Sequence, residues 1–351
     1  MLGAFAADLV ALAPCFSRPG RACTDDWTRP LVTLSDETRC FLLWVVSAAL
    51  KGTGRLDQAI EALRVLVAQF RAEGKALSAI EAELYRADAL VHAGDLRGAQ
   101  ASATQCLEAM AGQVDQPFAE ALARQELGYV RCLRGDLVAA ENLFDEAARL
   151  TAASDPPDPH WFAYDMIQAA YRVQSLIEAG HLARARSVAQ HSWARYGGHD
   201  WLLRWLIRAF GALATGLSAS GARERRQAER EMSEAREGIE ECAQQDYLAQ
   251  VLLASARLEL HLGHDDEAEG AVLRAQEIAS QCRLGTAQVD GHLARAELAI
   301  RRGHQSLAAE SVATAKGLAE RVGYGLRKPR IRELEAGLAS LSRAPARRQQ
   351  R

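Results

Sequence analysis

The chain has 351 residues, of which 49% are apolar and 25% are charged, and its formal net charge is −3. This composition excludes a disordered chain, which would be poor in apolar residues, and it lacks the basic excess of a nucleic-acid binder. No apolar run reaches the about 20 residues that a membrane-spanning helix needs. Seven scattered cysteines without a C-x-x-C pair favour reduced thiols. We therefore expect a globular cytoplasmic protein with no direct contact to nucleic acid or membrane.

Residues 1–30 begin with "MLGAFAADLVALAP", which predicts a short amphipathic helix followed by a loop containing Pro, Cys and Gly. The stretch is a poor secretion signal, because no basic residues precede it and Asp8 interrupts it. We expect 1–30 to form an N-terminal helix and loop that caps the fold.

A repeat follows, marked by glycines that interrupt helical patterns every 40 to 45 residues. These glycines are Gly54, Gly94, Gly135, Gly180, Gly221, Gly263 and Gly303. Five positions later stands an alanine in six of the seven units, namely Ala59, Ala99, Ala140, Ala185, Ala268 and Ala308. The fifth unit breaks this rule with Arg226.

Each unit is predicted to be a helical hairpin. A glycine can end the first helix in the left-handed conformation, and the small residue that follows lets the second helix approach closely. A single hairpin cannot bury its apolar faces, so neighbours stack into a solenoid. The predicted fold is all-α: about seven antiparallel hairpins over 31–328, with capping helices at both ends. Residues 329–342 are expected to form the C-terminal capping helix, and 343–351 a basic disordered tail.

The third unit carries a family resemblance. Leu127 and Gly128 match the Leu-Gly of helix A in tetratricopeptide repeats (TPRs), and Ala140, Phe144 and Ala147 match the Ala, Phe and Ala of helix B. The chain thus resembles the TPR superfamily, in the longer-period form found in kinesin light chains and in the sensor region of bacterial regulators of the maltose-activator type. This resemblance implies a right-handed superhelix and a role in binding other proteins.

Motifs for chemistry are missing from the sequence. It contains no P-loop, no strand-linked G-x-G-x-x-G, no G-x-S-x-G and no H-E-x-x-H. His261 and His264 are spaced as metal ligands are, but Gly263 interrupts the helix between them, and we expect turn residues there. No enzyme activity, cofactor or metal is predicted.

An aromatic cluster is the first candidate binding site. Nine of the 21 aromatic residues lie in 161–210, interleaved with arginines. Trp, Tyr and Arg dominate binding hot spots, although the same residues could fill an irregular joint between hairpins. Trp201, Trp205 and Arg208 share one helical face and are ranked first, and Arg204 and Tyr171 belong to the same cluster.

The inner face of the solenoid is the second candidate. In TPR proteins helix A lines the concave groove, and several helix-A positions here are polar where a purely structural helix would be apolar. The candidates are Gln125, Tyr129, Gln174, Glu178 and Arg257, with Asp88 in the second unit. A solvated helix face would explain these residues equally well.

The leading functional hypothesis is a non-catalytic scaffold or adaptor that binds a protein or peptide in its concave groove, in bacterial-type signalling or transcriptional regulation. One alternative is a sensor that binds a small molecule or signal peptide at the cluster 161–210. A second alternative is an enzyme on a helical-repeat scaffold. Either a monomer or a homodimer is compatible with the sequence.

Overall fold

The fold is all-α, as predicted, in a computed structural model that describes residues 3–16, 26–111, 116–152, 159–196 and 203–343. Sixteen α-helices lie in these residues: α1 (Gly3–Leu12), α2 (Asp36–Gly52), α3 (Leu56–Ala72), α4 (Ala76–Ala93), α5 (Leu96–Met110), α6 (Pro117–Leu133), α7 (Leu137–Thr151), α8 (Pro159–Glu178), α9 (Leu182–Tyr196), α10 (Arg204–Leu217), α11 (Ala222–Cys242), α12 (Gln245–Leu262), α13 (Asp265–Gln281), α14 (Gly285–Arg301), α15 (Gln305–Val322) and α16 (Lys328–Arg343).

Helices α2 to α15 pack as seven consecutive hairpins, which confirms the predicted solenoid. Six of the seven hairpin turns within the described residues are closed in one way, shown by the second: Gly94 has φ +87°, and the Asp95 N–H donates to the Leu90 carbonyl at 2.9 Å. This bond and the left-handed glycine form the Schellman motif that ends helices. The glycine spacing therefore reports the turn chemistry directly.

The alanines five positions after these glycines are all buried. They lie where helix B crosses helix A: in the third hairpin a Cβ added to Gly128 would sit 3.3 Å from the Ala140 carbonyl oxygen. Small side chains at this crossing allow the close packing that the sequence predicts.

The fifth hairpin departs from the prediction. Gly221 has φ −151°, so it is extended and caps the start of α11 rather than ending α10 in a left-handed turn. Four residues, rather than the two or three of the other hairpins, separate Leu217 from Ala222, and the buried face of α11 is shifted by two positions. Ala228 occupies the buried crossing and Arg226 is exposed, because the longer turn changes the register of helix B.

The solenoid curves until its ends meet. The first hairpin touches the sixth through α2 and α12, and the second touches the seventh through α4 and α14. At the latter contact a Cβ on Gly94 would lie 2.9 Å from Val322 Cγ1 and 3.1 Å from Gly285 Cα. Farther along, Gly135 lies against the backbone of Gly325. The concave face therefore surrounds a central space.

Parts of the sequence predictions lie beyond the description. Residues 17–25, Trp201 and the tail after Arg343 are outside the described residues. The proposed domain boundaries at 30, 328 and 343 stay predictions. Among described helices none is both long and apolar enough to cross a membrane. The cysteines that the structure describes are all free thiols.

Two turn glycines offer a matched test of this closure. Gly94 and Gly263 share φ +87°, but only Gly94 faces another part of the chain, since nothing lies within 4 Å of a Cβ at 263. Changing either to Ala should cost about 1–2 kcal/mol for the left-handed backbone. Gly94→Ala should cost clearly more in urea unfolding, because its methyl group also forces α4 away from α14. Equal losses would contradict tight closure at this contact.

Candidate functional site

A buried polar network holds the ends of the solenoid together. The Lys51 ammonium, at the end of α2, lies 2.5 Å from Asp246 Oδ2 on α12 and 3.0 Å from Asp88 Oδ2 on α4. Lys51 also donates to the Tyr247 hydroxyl at 2.9 Å, and the Tyr171 hydroxyl on α8 donates to Asp88 Oδ1 at 2.6 Å. Side chains from four different hairpins thus converge on one charge cluster.

The ionisation of this network follows from its geometry. Burial works against the charged form of Lys51, but Asp246 and Asp88 outweigh it and hold the pKa of the ammonium well above its usual range. Burial likewise opposes ionisation of Asp88, yet Lys51 and its hydrogen bonds lower the pKa of that carboxyl. Burial lowers the pKa of His92, which lies 3.6 Å from Asp88, so this imidazole is neutral at pH 7.

The closed solenoid surrounds a cavity of about 630 Å³. Helices α4, α6, α8, α10, α12 and α14 line it, and the 3-10 turn Gly325–Arg327 and α16 cover one end. Apolar walls alternate with polar side chains, among them Phe210, Leu213, Leu253, Leu293, Gln174 and Gln250. A concave site of this size with a few convergent polar groups is typical of ligand pockets, which span about 300–1,000 Å³.

The covered end of the cavity is held by a second charge cluster. Arg327 lies 2.8 Å from Glu178 and 2.5 Å from Asp290, and Arg257 lies 2.7 Å from the same Glu178. Burial raises the pKa of Glu178, but the two guanidinium groups more than offset this and bring it to about 2. Tyr324 donates to Asp290 at 3.0 Å, so the segment before α16 is fixed against the inner face.

Four of the predicted site residues meet in this cavity. Tyr129, Gln174, Glu178 and Arg257 all line it, and the Tyr129 hydroxyl donates to Gln174 Oε1 at 3.0 Å. Tyr171 lies directly behind them: its ring stacks on Tyr129 with centroids 3.8 Å apart, while its hydroxyl belongs to the buried network. The helix-A positions thus converge as the repeat geometry predicts, and their role in binding stays a prediction.

Gln125 lies apart from this group. It is buried and hydrogen-bonded to Asp165 rather than facing the cavity. The periodicity that selects helix-A positions does not separate residues facing the cavity from residues packed against the neighbouring hairpin.

The aromatic stripe lies outside the cavity. Trp205 packs against Gly238 of α11, and its ring centroid is 5.9 Å from that of Trp193 on α9. The Arg204 guanidinium stacks 4.7 Å above Trp205, and Arg208 pairs with Glu234 at 2.7 Å. These residues fill the joint between the fourth and fifth hairpins. Packing between hairpins is the alternative to binding that the sequence leaves open, and a role of these residues in binding stays a prediction.

Several residues of the site are not found by sequence reasoning. Lys51 stands in a segment that the repeat assigns to a turn, and Asp246 precedes the apolar run of α12. Their contact joins residues 195 positions apart, and no local pattern reports such a pair. The available signal in the sequence is Lys51 itself, a charged residue in the last turn of the mainly apolar helix α2.

Comparison with known proteins supports the fold. No protein-family model matches the sequence, and no match to a curated protein was found. In structure the chain is similar to a Rap protein complexed with Competence and Sporulation Factor, with a TM-score of 0.57, 12% sequence identity, and coverage of 82% of this chain and 78% of that chain. The likeness supports the fold described above, a solenoid of helical hairpins. At this identity the likeness defines the fold and leaves the function to the site.

The buried network can be tested by Lys51→Met. Removing the ammonium leaves Asp88 and Asp246 unpaired in the core, and breaking a buried pair in this way costs about 3–5 kcal/mol. The exposed pair Lys316–Glu335, 2.9 Å apart, provides the control. Lys316→Met should change the stability little in the same urea titration, because an exposed ion pair contributes little. A Lys51→Met loss no larger than the control would contradict a network that holds the ends together.

The ion pairs of Glu178 should make the free energy of unfolding depend on pH in the acidic range. Because the pKa of Glu178 is lowered from 4.5 to about 2 in the folded protein, its contribution is present above pH 4.5 and is lost as the pH falls towards 2. Between pH 7 and 3.5, wild type should lose roughly 1 kcal/mol more than Glu178→Gln. Urea unfolding at the two pH values measures this difference. The exposed Glu108→Gln should follow wild type, and identical pH dependence in all three proteins would refute the assignment.

Proposed function

We propose that this protein is a non-catalytic adaptor that binds a short peptide, or a short segment of a partner protein, in its central cavity. The observation that carries the proposal is the central cavity of about 630 Å³, lined by helix A of six hairpins and supplied with both apolar walls and polar groups. Its volume suits a short ligand rather than a long extended chain. The Rap protein of similar fold was solved with Competence and Sporulation Factor, which agrees with a ligand-binding role for such a repeat.

The polar lining matches the needs of a peptide. Gln174 and Gln250 provide amides for backbone groups, and Arg257 has a side chain that is 42% exposed although it pairs with Glu178. Phe210, Leu213 and Leu253 offer apolar contact to side chains. A few oriented polar groups among apolar walls fix the direction of a ligand and give specificity.

A sensor centred on the aromatic cluster 161–210 is less well supported. Trp193, Trp205 and Tyr196 of that cluster are engaged in packing and do not line the cavity, whereas Phe210 does. The cavity would also accept a small molecule of similar size. The sensor hypothesis is therefore better supported for the cavity than for the aromatic cluster.

An enzyme is also less well supported. Several titratable side chains line the cavity, and of these His92 has both ring nitrogens facing protein partners: Nδ1 lies 3.5 Å from Gln250, and Nε2 faces Asp88 and Tyr171. A general base must reach the proton that it removes from a substrate. The arrangement gives His92 a structural role.

The regulatory context is part of the proposal. The long-period resemblance to kinesin light chains and to maltose-activator-type sensor regions suggests that peptide binding controls another protein in signalling or transcription. Such control would act through a partner protein, in the cytoplasm, with no cofactor.

Filling the cavity is the sharpest test of this proposal. Leu253→Trp places a large ring in the cavity, whereas Leu273→Trp places the same ring on an exposed face of α13, where Leu273 is 54% exposed. A pool of short synthetic peptides is incubated with each protein, and retained peptides are read by native mass spectrometry. Wild type and Leu273→Trp should retain the same peptides, and Leu253→Trp should lose them.

A second arm addresses protein partners and the aromatic stripe. The same proteins, with Trp205→Ala confirmed as helical by circular dichroism, are used to capture partners from native lysate. A partner or peptide that survives Leu253→Trp but is lost in Trp205→Ala would contradict the cavity and favour the aromatic cluster. If wild type retains no peptide and captures no partner, the adaptor proposal itself is contradicted.

A further inference from the structure

One end of the cavity carries polar atoms that the fold leaves unused. We call this end the cavity floor: it consists of His92 from α4 and of Asp246 and Gln250, which stand one helical turn apart on α12. All three line the cavity, and Asp246 is 1% exposed. The cavity floor is therefore the part of the buried network around Lys51, together with Gln250, that lines the cavity.

The charge of this network does not balance. One ammonium, that of Lys51, faces two carboxylates, those of Asp88 and Asp246. His92 adds no positive charge, because burial lowers its pKa. The cluster therefore carries one net negative charge, and a buried charge is costly unless a partner compensates for it.

Two oxygen acceptors at the floor have no partner. Asp246 places Oδ2 on Lys51, but its Oδ1 is buried and makes no hydrogen bond. Gln250 likewise has a buried Oε1 without a partner. Since an unsatisfied buried polar atom is energetically costly, each such atom needs an explanation.

The neutral imidazole explains why the amide oxygen of Gln250 has no partner. The Gln250 amide nitrogen lies 3.5 Å from His92 Nδ1 and donates towards it, which leaves the proton of His92 on Nε2, facing Asp88 and Asp246. The amide nitrogen is then committed to His92, and the amide oxygen is the group left over. The floor thus offers two unpartnered oxygen acceptors and negative charge.

We propose that the cavity floor binds a cationic nitrogen of the ligand, an ammonium group donated by a short peptide to Asp246 Oδ1 and Gln250 Oε1. This inference rests on the proposed function and deepens it, because it gives the ligand a required charge at one end. The ammonium is either the free N-terminus of the peptide or a lysine side chain. Its binding would both neutralise the cluster and satisfy the two acceptors.

The test compares peptides that differ only in their ammonium groups. Three pools of random hexapeptides are used: free N-termini without Lys or Arg, acetylated N-termini without Lys or Arg, and acetylated N-termini with one Lys. Wild type should retain the first or the third pool and discriminate against the second by about tenfold, as expected for the loss of a hydrogen bond to a charged group. Preference for the first pool assigns the α-ammonium, and preference for the third assigns lysine.

Variants at Gln250 connect this preference to the floor without touching Lys51. Gln250→Met removes an acceptor and should weaken binding of the preferred pool about tenfold. Gln250→Glu adds a carboxylate and should strengthen it. Gln281→Met, at an exposed site on α13, is the matched control and should behave as wild type.

The outcomes separate the two proposals. Equal retention of all three pools, with no effect of Gln250→Met, would overturn the cation site while leaving peptide binding in the cavity intact. Retention of no peptide from any pool would contradict the proposed function and the cation site together. Discrimination that Gln250→Met leaves unchanged would place the ammonium elsewhere and overturn the inference.

Discussion

The contact of one lysine with two aspartates links hairpins that lie far apart in the sequence. Lys51 belongs to the first hairpin, Asp88 to the second and Asp246 to the sixth, so their ion pairs can form only if the solenoid closes. TPR-type repeats contact mainly their neighbours in sequence, and nothing in the repeat itself brings distant hairpins together. The buried ammonium adds a long-range constraint. Tyr171 donates to Asp88 Oδ1, and Tyr247 donates to Asp88 Oδ2, the oxygen that also faces Lys51.

Closure changes what the concave face can bind. An open TPR groove presents an extended surface, whereas here the helix-A side chains of opposite hairpins face one another across an enclosed space. The two ends of that space differ in charge: at one end Arg257 and Arg327 neutralise Glu178 and Asp290, and at the other the network around Lys51 keeps a net negative charge. This asymmetry would orient a ligand, because only one of its ends can satisfy the unpartnered acceptors.

The sequence predicts local structure well and long-range contacts poorly. The spacing of Gly94 and its equivalents predicts the hairpins because the left-handed turn and the small residue after it are local requirements. The same rule misplaces the fifth turn, where a longer connection turns Arg226 outward and Ala228 inward. Tyr129 and Gln174 lie in the cavity as predicted, but no periodic pattern identifies the Lys51–Asp246 pair, whose members are 195 residues apart. The aromatic residues around Trp205 show a second limit of residue composition. Binding hot spots and well-packed joints between helices use the same side chains, so composition does not distinguish them.

Small-angle X-ray scattering of the wild-type protein tests closure, the central claim, most directly. A compact chain of 351 residues should have a radius of gyration of about 20 Å, with a single-peaked distance distribution. Closure through Lys51 predicts this value for wild type and an expanded, elongated particle for Lys51→Met. A substantially larger radius for wild type, equal to that of the variant, would show an open solenoid and would remove the enclosed cavity on which the proposed ligand binding depends.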